Sequence, residues 1–359
     1  MFLDILVFYW DIIMRIFALS LSPVIILFFY LSCTSPEKVV TDYEFTDWFE
    51  HTGTFRIPVT EEFAAGSVTH ISQLNDSIYV FIDRQPPVAI MLYNIVNNEL
   101  RKIGKQGDGP DEYRQLYYTT ISNDGEISFS EGTGASLTIL DTQGRLIDHI
   151  TLPESGGTKF TFNQNSVVAQ GRYYNHIYKY DRPTRELSGY FPMDQNIGSF
   201  LRRLRIASGG IAEKDDTIYW MNIVEPHIYS WDITSDSMTI ITPNAWDMFS
   251  ANHDRSLIGE ASMNPEIGQR VIPQLTRFMD FEIFEHNDNS YFLVHYIYQN
   301  ERVLQILDTK GIVHVNFDAH KPVAGLQKNK IHFIDLSRME HEYDMVFSTY
   351  RFSPPIEIQ

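Results

Sequence analysis

The chain has 359 residues, of which 43% are hydrophobic, and a formal net charge of −18 from 28 basic and 46 acidic residues. An acidic balance of this size repels a polyphosphate backbone, which binding proteins neutralise with clustered Lys and Arg, so we expect no nucleic-acid partner. Cys33 is the single cysteine, and an intrachain disulfide is therefore excluded.

The first segment has the pattern of a secretory signal. Arg15 precedes an apolar run over residues 16–31, and a small residue stands immediately before Cys33. This pattern is typical of signal peptides, and a cysteine at the processing site is typical of a bacterial lipobox. We predict that residues 1–33 are a signal peptide and lipobox, with Met14 as the true start and Cys33 as the lipidation site. The alternative is an uncleaved membrane anchor.

Either interpretation places the rest of the chain in the cell envelope, on the periplasmic or cell-surface side of a membrane. Residues 34–53 are polar and are predicted to be a tether. Strand patterns dominate beyond them, and no long stretch has the 3.6-residue periodicity of a helix.

Six copies of one pattern follow the tether. Each has a turn, a short apolar strand, and a second strand that in most copies ends in Asp or Asn. The copies begin at Asp76, Gly125, Asn165, Asp216, Asn289 and Asn329. A period of about 40 to 50 residues with several strands per copy is typical of a β-propeller.

The repeats therefore predict an all-β fold over residues 54–359, a six-bladed β-propeller with four-stranded antiparallel blades. The last copy lacks an outermost strand, whereas "TFRIPVT" at residues 54–60 precedes the first copy. We predict that this N-terminal strand completes the last blade and closes the ring. The recurrent Asp is interpreted as turn chemistry between the third and fourth strands of a blade rather than as a metal ligand.

The stretch "KIGKQGDGPDEY", residues 102–113, connects the first blade to the second. Its glycines permit sharp bends and its proline fixes one φ, so a structural turn is the leading interpretation. Contact with a ligand and a calcium site are the alternatives. The residues of the motif are Gly104, Gly107, Gly109, Pro110, Glu112 and Tyr113.

These six residues match the pattern G-x-x-G-x-G-P-x-E-Y. With the lipobox, they make the chain resemble the six-bladed β-propeller family of Gram-negative bacterial lipoproteins, which is similar to NHL and TolB-like propellers. The resemblance covers roughly residues 54–352, and Asp111 stands where the family commonly has Gly. It implies the fold and the envelope location, but no activity, because propellers host binders, lyases and hydrolases alike.

The face of the propeller that carries this motif also carries the loops between the second and third strands of each blade. Loops held by a rigid scaffold commonly form ligand sites, and a carbohydrate, a peptide or an envelope protein is the expected partner. The candidate ligand-binding residues are Arg84, Glu131, Arg172, Tyr174, His176, Glu225, His227, Tyr296 and Arg338.

Two histidines stand at equivalent positions in neighbouring copies, because His176 and His227 each precede a strand-ending Asp by five residues. Together with Glu225 they are a hypothetical divalent-metal site. The favoured interpretation is hydrogen bonding to a neighbouring loop, and we predict neither a metal nor a cofactor.

Strong catalytic motifs are absent from the sequence. It has no G-x-S-x-G, no H-E-x-x-H, and no cysteine left as a nucleophile after lipidation. The sequence therefore predicts a lipid-anchored cell-envelope propeller that acts as a ligand- or protein-binding module. The alternative is a propeller hydrolase or lyase, with metal assistance as one route, so whether it is an enzyme stays open. Converging His, Asp or Glu in the pore would favour the enzyme, and an aromatic mouth with few carboxylates would favour the binder.

Overall fold

The structure is a computed structural model whose described residues are almost entirely β-strand. It describes residues 43–58, 68–84, 87–107, 109, 112–122, 124–131, 136–153, 159–171, 174–195, 198, 209–225, 227–244, 264, 266–267, 276–298, 301–335 and 344–355. The chain divides into Met1–Asp42 and Tyr43–Gln359, and all described residues belong to the second unit. The predicted signal segment and Cys33 lie outside the described residues, and no described helix is long and apolar enough to cross a membrane.

Six sheets of four antiparallel strands make up the second unit. Blade 1 contains β2 (Val68–Asn75), β3 (Ile78–Asp83), β4 (Ala89–Asn94) and β5 (Glu99–Ile103); blade 2 contains β8 (Leu116–Ile121), β9 (Ile127–Glu131), β10 (Ser136–Leu140) and β11 (Leu146–Thr151); blade 3 contains β12 (Phe160–Phe162), β13 (Ser166–Gln170), β14 (Asn175–Asp181) and β15 (Glu186–Pro192). Blade 4 contains β16 (Gly210–Lys214), β17 (Thr217–Met221), β18 (Ile228–Asp232) and β19 (Ser237–Ile241); blade 5 contains β20 (Arg277–His286), β21 (Asn289–Tyr298), β22 (Glu301–Asp308) and β23 (Val313–Asp318); blade 6 contains β24 (Val323–Gln327), β25 (Lys330–Ile334), β26 (Asp344–Phe352) and β1 (Phe49–Pro58). Two short strands, β6 (Lys105–Gln106) and β7 (Glu112–Tyr113), pair in parallel between blades 1 and 2.

The first strand of each blade contacts the first strand of the next blade. These contacts run β2, β8, β12, β16, β20, β24 and back to β2, which closes a ring of inner strands. Six apolar clusters fill the interfaces between neighbouring blades. The predicted six-bladed β-propeller is confirmed, and its core lies between the blades because each sheet buries both faces of its inner strands.

The N-terminal strand completes the last blade, as predicted. Strand β1 pairs antiparallel with β26, from Phe49 opposite Phe352 to Pro58 opposite Asp344. It begins earlier than the predicted residue 54, and a one-turn helix α1 (Phe45–Trp48) precedes it. The helix therefore lies within residues 34–53, which were predicted to be a tether, and β1 begins there. Burial explains the earlier start, because Trp48 is 0% exposed and packs with residues of blades 5 and 6.

The strand-ending Asp residues form turns between the third and fourth strands. The Asp141 carboxylate accepts the backbone N–H groups of Gln143 and Arg145, each at 2.9 Å. Asp308 accepts two backbone N–H groups in the same way, and Asn94 does so with one. The interpretation as turn chemistry is confirmed, and it explains why Asn can replace Asp in blade 1.

Candidate functional site

The glycine-rich motif folds as a closed turn between blades 1 and 2. Gly107 N–H donates to the Tyr113 carbonyl at 3.1 Å, and Gly109 N–H donates to Glu112 Oε2 at 2.9 Å. The Glu112 side chain occupies the space that a Cβ on Gly107 would need. Tyr113 is fully buried and packs edge-on against Phe129 of β9, with ring centroids 5.6 Å apart. The described motif residues therefore hold two blades together, while Pro110 lies outside the described residues.

Arg84 lies at the junction between blades 1 and 2. Its guanidinium donates to Thr69 Oγ1 and to the Tyr117 carbonyl, both at 3.0 Å. It also lies 5.9 Å from the centroid of the Tyr117 ring. Arg84 thus links β2 and β8, the inner strands of blades 1 and 2, near their first residues.

The other predicted site residues fall into different environments. Glu131 accepts a hydrogen bond from Ser136 Oγ at 3.2 Å, and Tyr174 is 60% exposed. Tyr296 was expected on the ligand-binding face, but it is 1% exposed and packs between blades 4 and 5. It is not placed to contact a ligand there, because β21 continues through this position instead of turning into a loop. Arg172 and Arg338 lie outside the described residues.

His176 and Glu225 belong to one polar cluster between blades 3 and 4. The Asn222 amide donates to His176 Nδ1 at 3.3 Å and also to Glu225 Oε2, which accepts the Tyr229 hydroxyl at 3.1 Å. Burial lowers the pKa of His176, and the nearby Glu225 opposes that shift. The groups of the cluster therefore bond mainly to one another.

The His227 ring packs edge-on against Tyr229 of this cluster, with ring centroids 6.3 Å apart. Its Nδ1 lies 3.1 Å from Thr242 Oγ1, which follows the outermost strand of blade 4. Among the residues that the structure describes, no group of three His, Cys, Asp or Glu side chains is arranged to hold a metal ion. Both histidines therefore lie within hydrogen-bonding distance of neighbouring side chains, and the metal site stays a hypothesis.

A cavity of about 630 Å³ lies among the inner strands of the six blades. The turns between the first and second strands contribute Asn163, Asp215 and Asn329 to its lining. Polar side chains from all six blades also line it: Ser72, Thr120, Ser122, Thr161, Glu213, Lys214, Glu282, Glu285 and Gln327. Most of the side chains that line this axial cavity are polar or charged, and the sequence did not predict it.

A buried ion pair joins the blades that surround the axis. Lys159 precedes β12, and its Nζ lies 2.6 Å from Asp280 Oδ1 of β20. The same ammonium donates to the carbonyls of Gly209 at 3.1 Å and Met279 at 2.6 Å. An ammonium has three N–H donors, so these three acceptors use them all. Lys159 therefore ties blades 3, 4 and 5 together and has no free donor for a ligand.

Two neutral aromatic groups surround this ion pair. Lys159 Nζ lies 5.5 Å from the centroid of the Tyr118 ring, and the His70 ring packs edge-on against Tyr118 at 5.0 Å. Burial, aided by the charges of Lys159 and Arg84, lowers the pKa of His70 to about 3, and burial raises the pKa of Tyr118. Both side chains are therefore neutral near pH 7.

Two carboxyl groups that line the axial cavity have raised pKa values. Burial raises the pKa of Glu213, although Asn163 Nδ2 donates to its carboxylate at 3.0 Å. Burial raises the pKa of Glu282 to about 8, helped by the charge of Asp280 and opposed by that of Lys159. Perturbed carboxyl groups in a concave site are typical of functional sites.

A sequence signal for this site exists in "RFMDFEIF", where Asp280 and Glu282 alternate with apolar residues. Two carboxylates at a spacing of two lie on one face of a strand, and charged residues on the innermost strand of a propeller must face its axis or a neighbouring blade. The repeated pattern covers the second and third strands of each blade, and Asp280 and Glu282 lie outside it on a first strand.

No protein-family model matches the chain, and no curated protein matches it in sequence. Among solved structures, the chain is similar to a "Putative exported protein" of Bacteroides fragilis NCTC 9343. The identity is 12% and the TM-score 0.61, with 87% of this chain and 98% of that chain covered. A member of the DUF4221 family from Bacteroides vulgatus ATCC 8482 has 10% identity and a TM-score of 0.55, covering 86% of this chain and 99% of that one.

A streptogramin B lyase is also similar, with 11% identity, a TM-score of 0.52, and 84% and 88% of the two chains covered. At such identities the likeness shows the fold alone. The class that the fold and the site define is a six-bladed β-propeller with a polar axial cavity. The finer resemblance to NHL and TolB-like lipoproteins stays a prediction.

Proposed function

We propose that the protein is an exported, lipid-anchored propeller of the cell envelope that binds a small polar molecule in its axial cavity. The observation that carries the proposal is the cavity itself. Its volume of about 630 Å³ lies within the range of about 300 to 1,000 Å³ that is common for small-molecule sites. The lipid anchor is supported by the sequence pattern around Cys33, and the exported description of one structural neighbour agrees with it.

The residues that line the cavity bear on whether the protein binds or also catalyses. Carboxyl groups line the cavity, and converging carboxyl groups in the pore are the feature expected of an enzyme. However, Asp280 is neutralised by Lys159, whose donors are all used, and the described residues offer no metal-binding group. The described residues therefore favour a binding module over a metal-assisted enzyme.

A second candidate is a hydrolase or lyase in which Glu282 acts as a general acid. Its pKa of about 8 would leave the carboxyl protonated at neutral pH, as a general acid requires. Incubating the protein with each compound that it binds, followed by chromatography, would reveal product. Turnover that is lost in Glu282→Gln would support this candidate over pure binding.

The binding proposal is tested by thermal shift and titration calorimetry on the purified chain with monosaccharides, amino acids and short peptides. A compound that binds the folded state must raise the melting temperature by mass action. We expect Thr161→Trp, which fills the axial cavity, to abolish binding, because Thr161 lines the cavity and is only half-buried. The matched control is Tyr174→Ala on the loop face, where the side chain is 60% exposed.

The two variants distinguish the cavity from the loop face that the sequence analysis favoured. If affinity falls in Tyr174→Ala and not in Thr161→Trp, the binding site lies on the loops and the proposal is wrong. A panel in which no compound raises the melting temperature would also contradict it.

A further inference from the structure

We propose that the ligand of the axial cavity is an organic ammonium compound that also carries hydroxyl groups, as an amino sugar or amino polyol does. In this arrangement Glu282 pairs with the ammonium, and Ser72 and Gln327 bind the hydroxyl groups. The inference rests on the proposed function, because it names the class of compound that the same cavity takes.

Glu282 is the carboxyl of the cavity that is best placed to receive a cation. The only hydrogen bond to its side chain from the described residues comes from the backbone N–H of Ile283, at 3.1 Å. Its charged surroundings are Asp280, Lys159 and the Tyr118 hydroxyl, and Lys159 is already paired with Asp280. Burial without a cationic partner raises the pKa of Glu282 to about 8, and a bound ammonium would favour the ionised carboxylate and pair with it.

Three other charged groups of the cavity have partners of their own. Lys214 Nζ lies 2.7 Å from Glu285 Oε1 and also contacts Ser290 Oγ. Glu213 accepts hydrogen bonds from Asn163 and Thr161. Asp215 also lines the cavity, but it is exposed in the turn between β16 and β17, whereas Glu282 is partly buried within β20.

Two polar side chains of other blades line the same cavity. Ser72 of β2 is 7% exposed and Gln327 of β24 is 9% exposed. Gln327 Oε1 accepts the Gln73 N–H at 2.6 Å, which holds this side chain in place. The Ser72 hydroxyl and the Gln327 amide are groups that can hydrogen-bond to hydroxyls of a molecule in the cavity.

The number of coordinating side chains distinguishes a metal ion from an organic ammonium. A metal ion requires several converging His, Cys, Asp or Glu side chains, and the described residues contain no such group. An ammonium needs one or two acceptors and tolerates neutral groups around it. The neutral donors and acceptors of the cavity, which include Thr120, Ser122 and Asn163, suit hydroxyl groups on the same molecule.

The test compares amines with their neutral counterparts by titration calorimetry on the purified chain. The pairs are glucamine with sorbitol, glucosamine with glucose, and galactosamine with galactose, so that each pair differs by one amino group. We expect at least one amine to bind about tenfold or more tightly than its counterpart, since hydrogen bonds between charged groups contribute enough for that difference.

Matched variants locate the charge effect. Glu282→Gln keeps the shape of the side chain and should reduce the amine to the affinity of its neutral counterpart. Glu285→Gln removes a carboxylate that already pairs with Lys214 and should change the preference by less than about threefold. Ser72→Ala should weaken both members of a pair alike, because it removes a hydroxyl contact. Circular dichroism verifies that each variant is folded.

The outcomes also separate this inference from the proposed function. If the amine and the neutral compound bind equally, and Thr161→Trp abolishes both, the cavity is a binding site and the ammonium inference is wrong. The inference is likewise wrong if no amine binds, or if Glu282→Gln keeps the preference. The proposed function is then judged on its own wider panel of compounds.

Discussion

At the scale of single residues, the environment of a charged side chain decides its role. Lys159 and Glu282 both lie near the axis, but Lys159 has three acceptors for its three donors, whereas within the described part of the chain Glu282 accepts a single backbone N–H. The lysine therefore stabilises the junction of three blades. The carboxyl is left with a raised pKa and an unused capacity to bind a cation.

The polar residues of the loops could be predicted from the sequence, whereas those near the axis could not. The equivalent positions of His176 and His227 were visible from the repeat, and Ile177 and Ile228 indeed pair with Gln170 and Met221 at matching points of their blades. Their partners were not visible, because hydrogen bonding to Asn222 or to Thr242 depends on how neighbouring strands pack.

The pKa of Glu282 makes the stability depend on pH. Its ordinary value is 4.5 and its folded value about 8, so the folded state binds more protons than the unfolded state between these values. The stabilising contribution is fully present below pH 4.5 and is lost as the pH rises through about 8. Glu282→Gln should therefore gain stability relative to the wild type as the pH rises from about 5 to about 8.

Urea unfolding of both proteins at the two pH values measures this difference. A difference in unfolding free energy that stays constant with pH would show that the Glu282 carboxyl has an ordinary pKa. Because the buried histidines are present in both proteins, their own titration cancels in the comparison.

At the scale of elements, β1 is the strand on which closure of the ring depends. Ile57 is 0% exposed and packs with Phe347 of β26 and with side chains of blade 1. Phe55 stacks on Tyr79 of blade 1 with ring centroids 4.2 Å apart. Strand β1 therefore both supplies the fourth strand of blade 6 and packs against blade 1.

Truncation of Ile57 to Ala should destabilise the protein by about 2–5 kcal/mol, the usual cost of deleting a buried aliphatic side chain. The matched control is Glu50→Ala in the same strand, whose ion pair with Arg351 is more than half exposed on both sides. We expect that control to change stability by less than about 1 kcal/mol. Equal effects of the two variants in urea unfolding would mean that β1 contributes little to stability.

The existence of β1 was predictable, and its beginning was not. The missing fourth strand of the last copy required an N-terminal partner, and "TFRIPVT" was the available strand. The register with β26 shifts between His51 and Gly53, and this irregularity breaks the alternation on which sequence patterns rely. The residues before it therefore resembled a tether, although Trp48 and Phe49 are buried.

At the scale of the whole molecule, the fold could be predicted because the second and third strands of the blades repeat. Ile78 pairs with Asn94 and Tyr291 with Asp308, which are the spacings that defined the copies. The axial cavity could not be predicted in the same way. Its walls come from the first strands of six blades, whose side chains meet only when the ring closes.

The net charge of −18 also acts on the whole molecule. Self-repulsion destabilises a compact acidic protein, and salt screens it as the Debye length falls from about 30 Å at 0.01 M to about 10 Å at 0.1 M. We therefore expect the melting temperature to rise over this range of sodium chloride. A falling melting temperature would indicate that favourable ion pairs, such as Arg182 with Glu126, outweigh the repulsion.

The pairing of β1 with β26 delays completion of blade 6 during synthesis on the ribosome. Phe352, the partner of Phe49, is made about 300 residues later, and at about 5–20 residues per second that delay lasts from about 15 to 60 seconds. Strand β1 has no partner strand until β26 has been made, so blade 6 is completed only after that delay. A chain with this architecture stays open long enough to be handled by chaperones or carried through a narrow translocation pore.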